Sequence, residues 1–392
     1  MKKIAFVATG YILKYDGISV FTENLLFEFL QLINKEKDSF IIDIYIGKSA
    51  LKLLKQRVCT SNITQHQINF IEVNDSRFVT KILDLNFKLI IRGKYELIFM
   101  TNFMPTLALP SKTIKTIHDF SVNNFSELYS KSYLKYHNML LWYGKLFDYG
   151  IAYISSTTLE DLGKFHGINH RNKTLLHLPN GIPFKVQNYD RPNDEISFLK
   201  YTSKNLELLV VGRINKHKGF DRILEFLSYF DQSTEQKNFN LITLNIVGKQ
   251  TAETSQIFKD LRLENIKLKF HGFLEDKQLN ELYKASHFCL FLSRNEGYGI
   301  PLVEAMWFKS IPIISNIPIF NEIMSDRYPK FDDKTNYNSS IVNFIFKIYT
   351  DTDYLYQIRE FLEFIVNKEQ NGYKTASKNL IQYIHKLCQE KS

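Results

Sequence analysis

Short apolar, β-branched runs alternate along this chain with longer amphipathic stretches. Residues 3–8 read as a strand and 20–32 as the helix that follows it, and the pair recurs at 40–46 and 50–54. Further strands are expected at 97–100, 113–117, 151–154 and 174–178. Strands that alternate with helices build βαβ units and parallel sheets. Between about 186 and 205 the pattern lapses into Tyr-Asp-Arg-Pro-Asn-Asp-Glu and Lys-Tyr-Thr-Ser-Lys-Asn, polar and rich in turn formers. It then restarts with strands at 206–211, 241–247, 266–270, 287–292 and 311–314. The expected organisation is a first domain at 1–190, a linker at 191–205 and a second domain at 206–373. A terminal helix follows at 374–392, with Leu380, Ile384 and Leu387 at helical spacing and no partner surface identifiable. The fold class is α/β, with two doubly wound, Rossmann-like parallel-sheet domains facing a central cleft.

Composition narrows the class. At 392 residues, 44% apolar and 23% charged, the chain suits two ordinary globular domains and neither a disordered nor a fibrous class. The apolar run after Lys2-Lys3 is too short for a signal-peptide core, and no stretch approaches the roughly 18 apolar residues of a spanning helix. Cys59, Cys289 and Cys388 are scattered, which argues against a disulfide framework or a zinc site and fits a reducing cytoplasm. The excess of 50 Lys and Arg over 41 Asp and Glu suits nucleic acid, an anionic membrane or phosphorylated substrates, and charge alone does not choose.

Candidate chemistry concentrates after the strand at 287–292. Ser293-Arg-Asn-Glu296 leads into Gly297-Tyr298-Gly299-Ile300-Pro301 and then a helix-compatible run. Glycines let a ligand approach the backbone, Pro301 suits a first helical position, and a helix start offers N–H groups to an anion or to hydroxyls. Glu296 stands before the turn and Glu304 in the expected first turn, so both carboxylates are placed to accept hydrogen bonds from sugar or ribose hydroxyls. Two glutamates eight positions apart also arise by chance, and the glycines, the proline and the preceding strand are what raise this pair above that.

The residues 296–304 resemble the E-x7-E motif of the retaining GT-B glycosyltransferases, specifically glycosyltransferase family 4 (glycosyl transferases group 1). The likeness extends to Val210-Val-Gly212-Arg213 with Lys218-Gly219-Phe220-Asp221, and to 244–248, 270–273, 281–286 and 315–322. It implies that Arg213 and Lys218 hold the donor diphosphate and stabilise it as it leaves. Glu296 would hold the donor sugar and Glu304 the ribose, with Gly297, Tyr298, Gly299 and Ile300 forming the donor-binding turn. In the first half, Asp16-Gly17-Ile-Ser19 resembles the family's glycine loop, though with one glycine where many relatives have two. Ile117-His118-Asp119 resembles its His-Asp near the donor sugar, although a lone His is more often structural and Asp119 also suits a cap. After 311–314 the chain lacks the Gly-Gly that many relatives carry before the glutamate corresponding to Glu322.

The resemblance thus implies a retaining, metal-independent hexosyl transfer from a nucleoside-diphosphate sugar to a glycan or lipid-linked acceptor hydroxyl. Assembly of lipopolysaccharide, O-antigen or capsule is the expected setting, with no cofactor beyond the donor. The alternatives are a sugar-nucleotide epimerase or hydrolase of the same fold and a non-catalytic nucleotide-sugar binder. Gly47-Lys48-Ser49 is not a phosphate loop, because Ile42 stands where that motif needs glycine. Asp351-Thr-Asp353 reads as a helix cap, and no nucleic-acid motif accompanies the charge. The basic surplus is assigned to diphosphate or to an anionic membrane at the inner face of the cell.

Overall fold

The structure, a computed structural model, describes residues 2–12, 16–36, 39–58, 67–107, 111–166, 173–249, 258, 261–332 and 336–389. It divides into two compact units, residues 1–181 with 371–392 and residues 182–370.

In the first unit seven parallel strands take the order β3-β2-β1-β4-β5-β6-β7. They are β1 (Lys2–Val7), β2 (Phe40–Gly47), β3 (Gln67–Val73), β4 (Leu97–Met100), β5 (Lys112–Ile117), β6 (Gly150–Tyr153) and β7 (Thr174–His177). The central strands are near-continuous apolar runs, as a sheet covered on both faces requires: Ile4 to Val7 and Leu97 to Met100 are all buried. β3 was not expected. It is an edge strand whose Gln-Ile-Asn-Phe-Ile-Glu-Val alternates apolar and polar positions.

The second unit has six parallel strands in the order β10-β9-β8-β11-β12-β13. They are β8 (Asn205–Val211), β9 (Leu241–Val247), β10 (Ile266–Gly272), β11 (Phe288–Phe291), β12 (Ile311–Ser315) and the short β13 (Lys330–Phe331). In each sheet the order reverses beside the unit's first strand, between β1 and β4 and between β8 and β11. Ligands of open parallel sheets bind beyond the carboxyl ends of the strands at such a switch point.

Two boundaries differ from expectation. The stretch expected to link the domains belongs to the second unit: Asp194–Leu199 is a helix, Lys200–Thr202 a helical turn, and Tyr201 is buried with its hydroxyl donating to the His287 carbonyl at 2.8 Å. Its polar residues are ends and outer faces of local structure, with Asn193 capping the helix through the Glu195 N–H. The terminal helix Gly372–Gln389 belongs to the first unit, burying Ala376, Leu380, Ile384 and Leu387. It packs along the helix Gly17–Ile33, where the Ser377 hydroxyl donates to the Leu25 carbonyl at 3.2 Å.

Cys289 and Cys388 are buried, and Cys59 lies outside the described residues. Asp351 does cap a helix, its carboxylate accepting the Tyr354 N–H at 2.9 Å.

Candidate functional site

At the switch point of the second unit, the ends of β8 and β11 line a cavity of about 60 Å³. Gly212 and Arg213 extend β8, Ser293 and Glu296 extend β11, and Lys218, Gly299 and Pro301 complete the wall. The Lys218 Nζ lies 2.5 Å from Glu296 Oε2, and the Ser293 hydroxyl donates to Glu296 Oε1 at 2.8 Å. Both oxygens of Glu296 are thus oriented by neighbours. Arg213 is solvent-exposed.

The loop that carries Lys218 is held against the loop that carries Glu296. Arg294 grips Asp221 with two charge-assisted hydrogen bonds of 2.6 and 2.7 Å, donates to the Lys216 carbonyl at 2.6 Å, and gives its own N–H to the His217 carbonyl at 3.0 Å. This pairing holds the Asp221 carboxyl below its usual range against the opposing effect of burial. Gly219 permits the close approach: it has φ +67° and a Cβ there would run into the Leu292 carbonyl. Ser315 donates to the Ser293 carbonyl at 2.5 Å and so braces the same loop from β12.

The glycine turn then starts the helix Ile300–Trp307, with Gly299 as its cap at φ +96°. Two details differ from expectation. Pro301 is the second helical residue, and the Leu302 N–H donates to the Gly299 carbonyl at 2.9 Å, so fewer helix-start amides are left for a ligand. Glu304 falls beyond the first turn and is buried, accepting the Tyr283 hydroxyl at 3.0 Å, and it is not among the residues lining the cavity. Burial pushes its carboxyl above the ordinary carboxylate range, with Lys185 opposing the shift. The Tyr298 side chain is also turned away, its hydroxyl bonded to Glu369. Gly297 and Ile300 are partly buried within the turn.

The first unit carries Gly17 and His118 near its own switch point. Gly17 opens the helix Gly17–Ile33 with Asp16 as cap, accepting the Ser19 N–H at 2.9 Å. A Cβ at Gly17 would meet nothing within 4 Å, so local packing does not demand the glycine. Residues 13–15, just before it, lie outside the described residues.

His118 follows β5 and its Nε2 is 2.8 Å from the Thr101 carbonyl beyond β4. A carbonyl only accepts, so Nε2 carries the hydrogen and Nδ1 of the neutral ring is left as an acceptor. Burial lowers its pKa and keeps it neutral, and the Phe21 ring packs edge-on at 4.8 Å. Asp119 caps the next turn through the Ser121 N–H at 2.8 Å.

Sequence reasoning therefore found Lys218, Glu296, Arg213 and Gly299, which the fold brings together. It missed Ser293, which orients Glu296 three residues on, and Arg294, Asp221 and Tyr283, whose roles are set by partners far along the chain.

Residues 192–362 match the family model described as glycosyl transferases group 1. The matched segment lies within the second unit, and the two Rossmann-like parallel-sheet units are those of the GT-B fold. Over 153 residues the chain is 31% identical to the serotype-specific mannosyltransferase WbdA of Escherichia coli, covering 38% of this chain and 18% of that protein. Over 148 residues it is 28% identical to the O-antigen chain mannosyltransferase RfbU of Salmonella typhimurium, covering 37% and 40%. The chain thus spans well under half the length of these curated relatives. Among solved structures, Anabaena HepE in complex with UDP and glucose superposes with TM-score 0.68 at 17% identity, over 98% of this chain and all of that one. Sucrose-phosphate synthase from Thermosynechococcus elongatus gives 0.70 at 14% identity over the full length of both.

Proposed function

We propose that this chain is a retaining glycosyltransferase that moves a sugar from a nucleoside-diphosphate sugar to an acceptor hydroxyl in surface-glycan assembly. The observation that carries the reading is the pairing of Lys218 with Glu296 in the cavity at the β8–β11 switch point, with Arg213 beside it.

In the proposed reaction the acceptor oxygen bonds to the sugar's C1 on the face from which the diphosphate departs. The C1–O bond to phosphate breaks, and the acceptor's proton passes to the leaving phosphate oxygen. Arg213 and Lys218 stabilise the charge that grows on that group, where preorganised donors act most strongly. Glu296 accepts hydrogen bonds from the sugar hydroxyls, oriented by Ser293 and Lys218. Glu304, buried against Tyr283, braces the helix that follows the glycine turn, and His118 of the first unit keeps Nδ1 as an acceptor for a hydroxyl. The glycine turn at Gly297, Gly299 and Ile300 admits the donor's backbone-facing side. No resident metal is invoked, since the two cations serve the diphosphate. The acceptor is a glycan or lipid-linked saccharide at the cytoplasmic face of a membrane.

The test is to incubate purified protein with a panel of nucleoside-diphosphate sugars and oligosaccharide acceptors. A mannosyl donor comes first, because two relatives are named mannosyltransferases. Acceptor-dependent release of nucleoside diphosphate is expected. Release of a free sugar epimer would favour the epimerase alternative, and binding without turnover the non-catalytic one.

A further inference from the structure

We propose that the first unit docks on an anionic lipid bilayer through the outer faces of two helices, Phe78–Ile91 and Lys131–Phe147. This rests on the reading of the enzyme as one that works at a membrane face, and it names the surface.

The helix Phe78–Ile91 is apolar on two sides. Leu85 and Leu89 are buried in a cluster with Tyr45, Ile98 and Met100, which accounts for the inner side. Val79, Leu83, Phe87 and Ile90 recur at helical spacing on the other side, and each is more than half exposed. Exposed Arg92 and Lys94 follow the helix end.

The helix Lys131–Phe147 repeats the design. Leu140, Leu141 and Gly144 are buried, while Met139, Trp142, Leu146 and Phe147 are more than half exposed. Lys131, Lys135 and Lys145 stand on the exposed side, and the helix contains no Asp or Glu. Its C-terminal cap, Asp148, is tied to β5 by a buried ion pair with Lys115 at 2.8 Å. The outward residues are therefore not a face waiting to enter the core. The Phe78 and Tyr136 rings meet edge to face at 5.6 Å, so the two helices adjoin.

Single exposed apolar residues are ordinary, but adjoining stripes mark an interaction surface. Lysine is depleted at protein–protein interfaces, whereas Trp, Tyr and Lys beside aliphatic residues are the furniture of a bilayer interface. Among the described residues no helix is long and apolar enough to cross a membrane, so the contact is peripheral.

The chain has two tryptophans, Trp142 at 61% exposure and Trp307 at 6%, so emission reports on the proposed surface directly. The full chain is titrated with vesicles of phosphatidylcholine alone or mixed with phosphatidylglycerol. A blue shift and protection from an aqueous quencher are expected only with the mixture, reversed by salt and absent in Trp142→Phe. The K131Q/K135Q/K145Q variant should bind about 100-fold more weakly, as should L83E/F87E, with melting temperatures unchanged. Should L83E/F87E not fold, the lysine variant and Trp142→Phe decide. No binding by wild type, equal binding to both compositions, or wild-type binding by the lysine variant would overturn the proposal. So would light scattering showing a lipid-free dimer that these variants dissociate. Transfer to a soluble acceptor is measured in parallel: its absence would sink the transferase reading and leave the vesicle result standing.

Discussion

The two sheets share a strand order around their first strands, β3-β2-β1-β4-β5 in one unit and β10-β9-β8-β11-β12 in the other. The carboxyl ends of those strands are nevertheless furnished with different chemistry. In the second unit the loops are charged and cross-linked, with Lys218 on Glu296 and Arg294 on Asp221. In the first unit the candidate groups are neutral: His118 is kept uncharged by burial and Gly17 lies beneath open space. One topology thus provides a cationic, preorganised end suited to a diphosphate and an end whose candidate groups, Gly17 and His118, carry no charge of their own and suit hydroxyls. The fold supplies the place, and the loops decide what can be held there.

The largest expected effect tests that division. Lys218→Ala should lower kcat/KM about 100- to 1,000-fold, as loss of a preorganised charge does, and Glu296→Ala should do the same. The melting temperature should hardly move, because a partly exposed pair is worth about 1 kcal/mol or less. His118→Asn should cost only about tenfold, the worth of one neutral hydrogen bond. Initial rates of nucleoside-diphosphate release check all three, and a loss at His118 larger than at Lys218 would invert the comparison.

Two glycines sharpen it next. Gly219→Ala should destabilise the protein by about 2 kcal/mol or more, because the residue has positive φ and faces the Leu292 carbonyl. Gly17→Ala should leave stability within ~0.5 kcal/mol, and any loss of transfer there would then be a ligand effect. Denaturant titration of both variants reads the difference.

Acid should weaken the protein through a histidine of the second unit. Burial and the nearby Lys200 lower His287 from 6.5 to about 4, so as pH falls the unfolded chain takes the proton first. Its contribution is present above the unfolded value and is lost as pH drops toward the folded one. Stability at about pH 5 should therefore be ~2 kcal/mol below that at about pH 7. His287→Gln should flatten that slope in denaturant titrations at the two pH values.

The smallest effect is expected at a residue that acts through others. Arg294→Ala should lower kcat about tenfold, roughly 1.4 kcal/mol, by freeing the Lys218 loop. Nucleoside-diphosphate affinity should change less, and titration calorimetry beside steady-state rates separates the two.

How much of this was legible depended on the range of the signal. The five longer strands of the second unit and the glycine turn before its helix are local patterns that the sequence places, whereas β13, two residues long, leaves no such pattern. β3 escaped because an edge strand with half its positions polar carries no continuous apolar run. The linker was misplaced because Asn193 to Ser203 is polar for capping, while Tyr201, its buried anchor, is a single residue. The partner surface of the terminal helix was left open, since the apolar spacing of Leu380, Ile384 and Leu387 names a face and not what it meets. Arg294 and Asp221 were unreadable as a pair at 73 residues apart, and Tyr283 binds Glu304 across 21. Such pairs exist only once the loops are brought together.

The most direct test of the central claim follows the anomeric proton of a donor sugar by NMR while purified enzyme acts on it with an acceptor oligosaccharide. The account predicts a new glycosidic signal of the donor's own configuration, appearing only with acceptor and in step with nucleoside diphosphate. A product of opposite configuration, or free sugar released equally without acceptor, would contradict it.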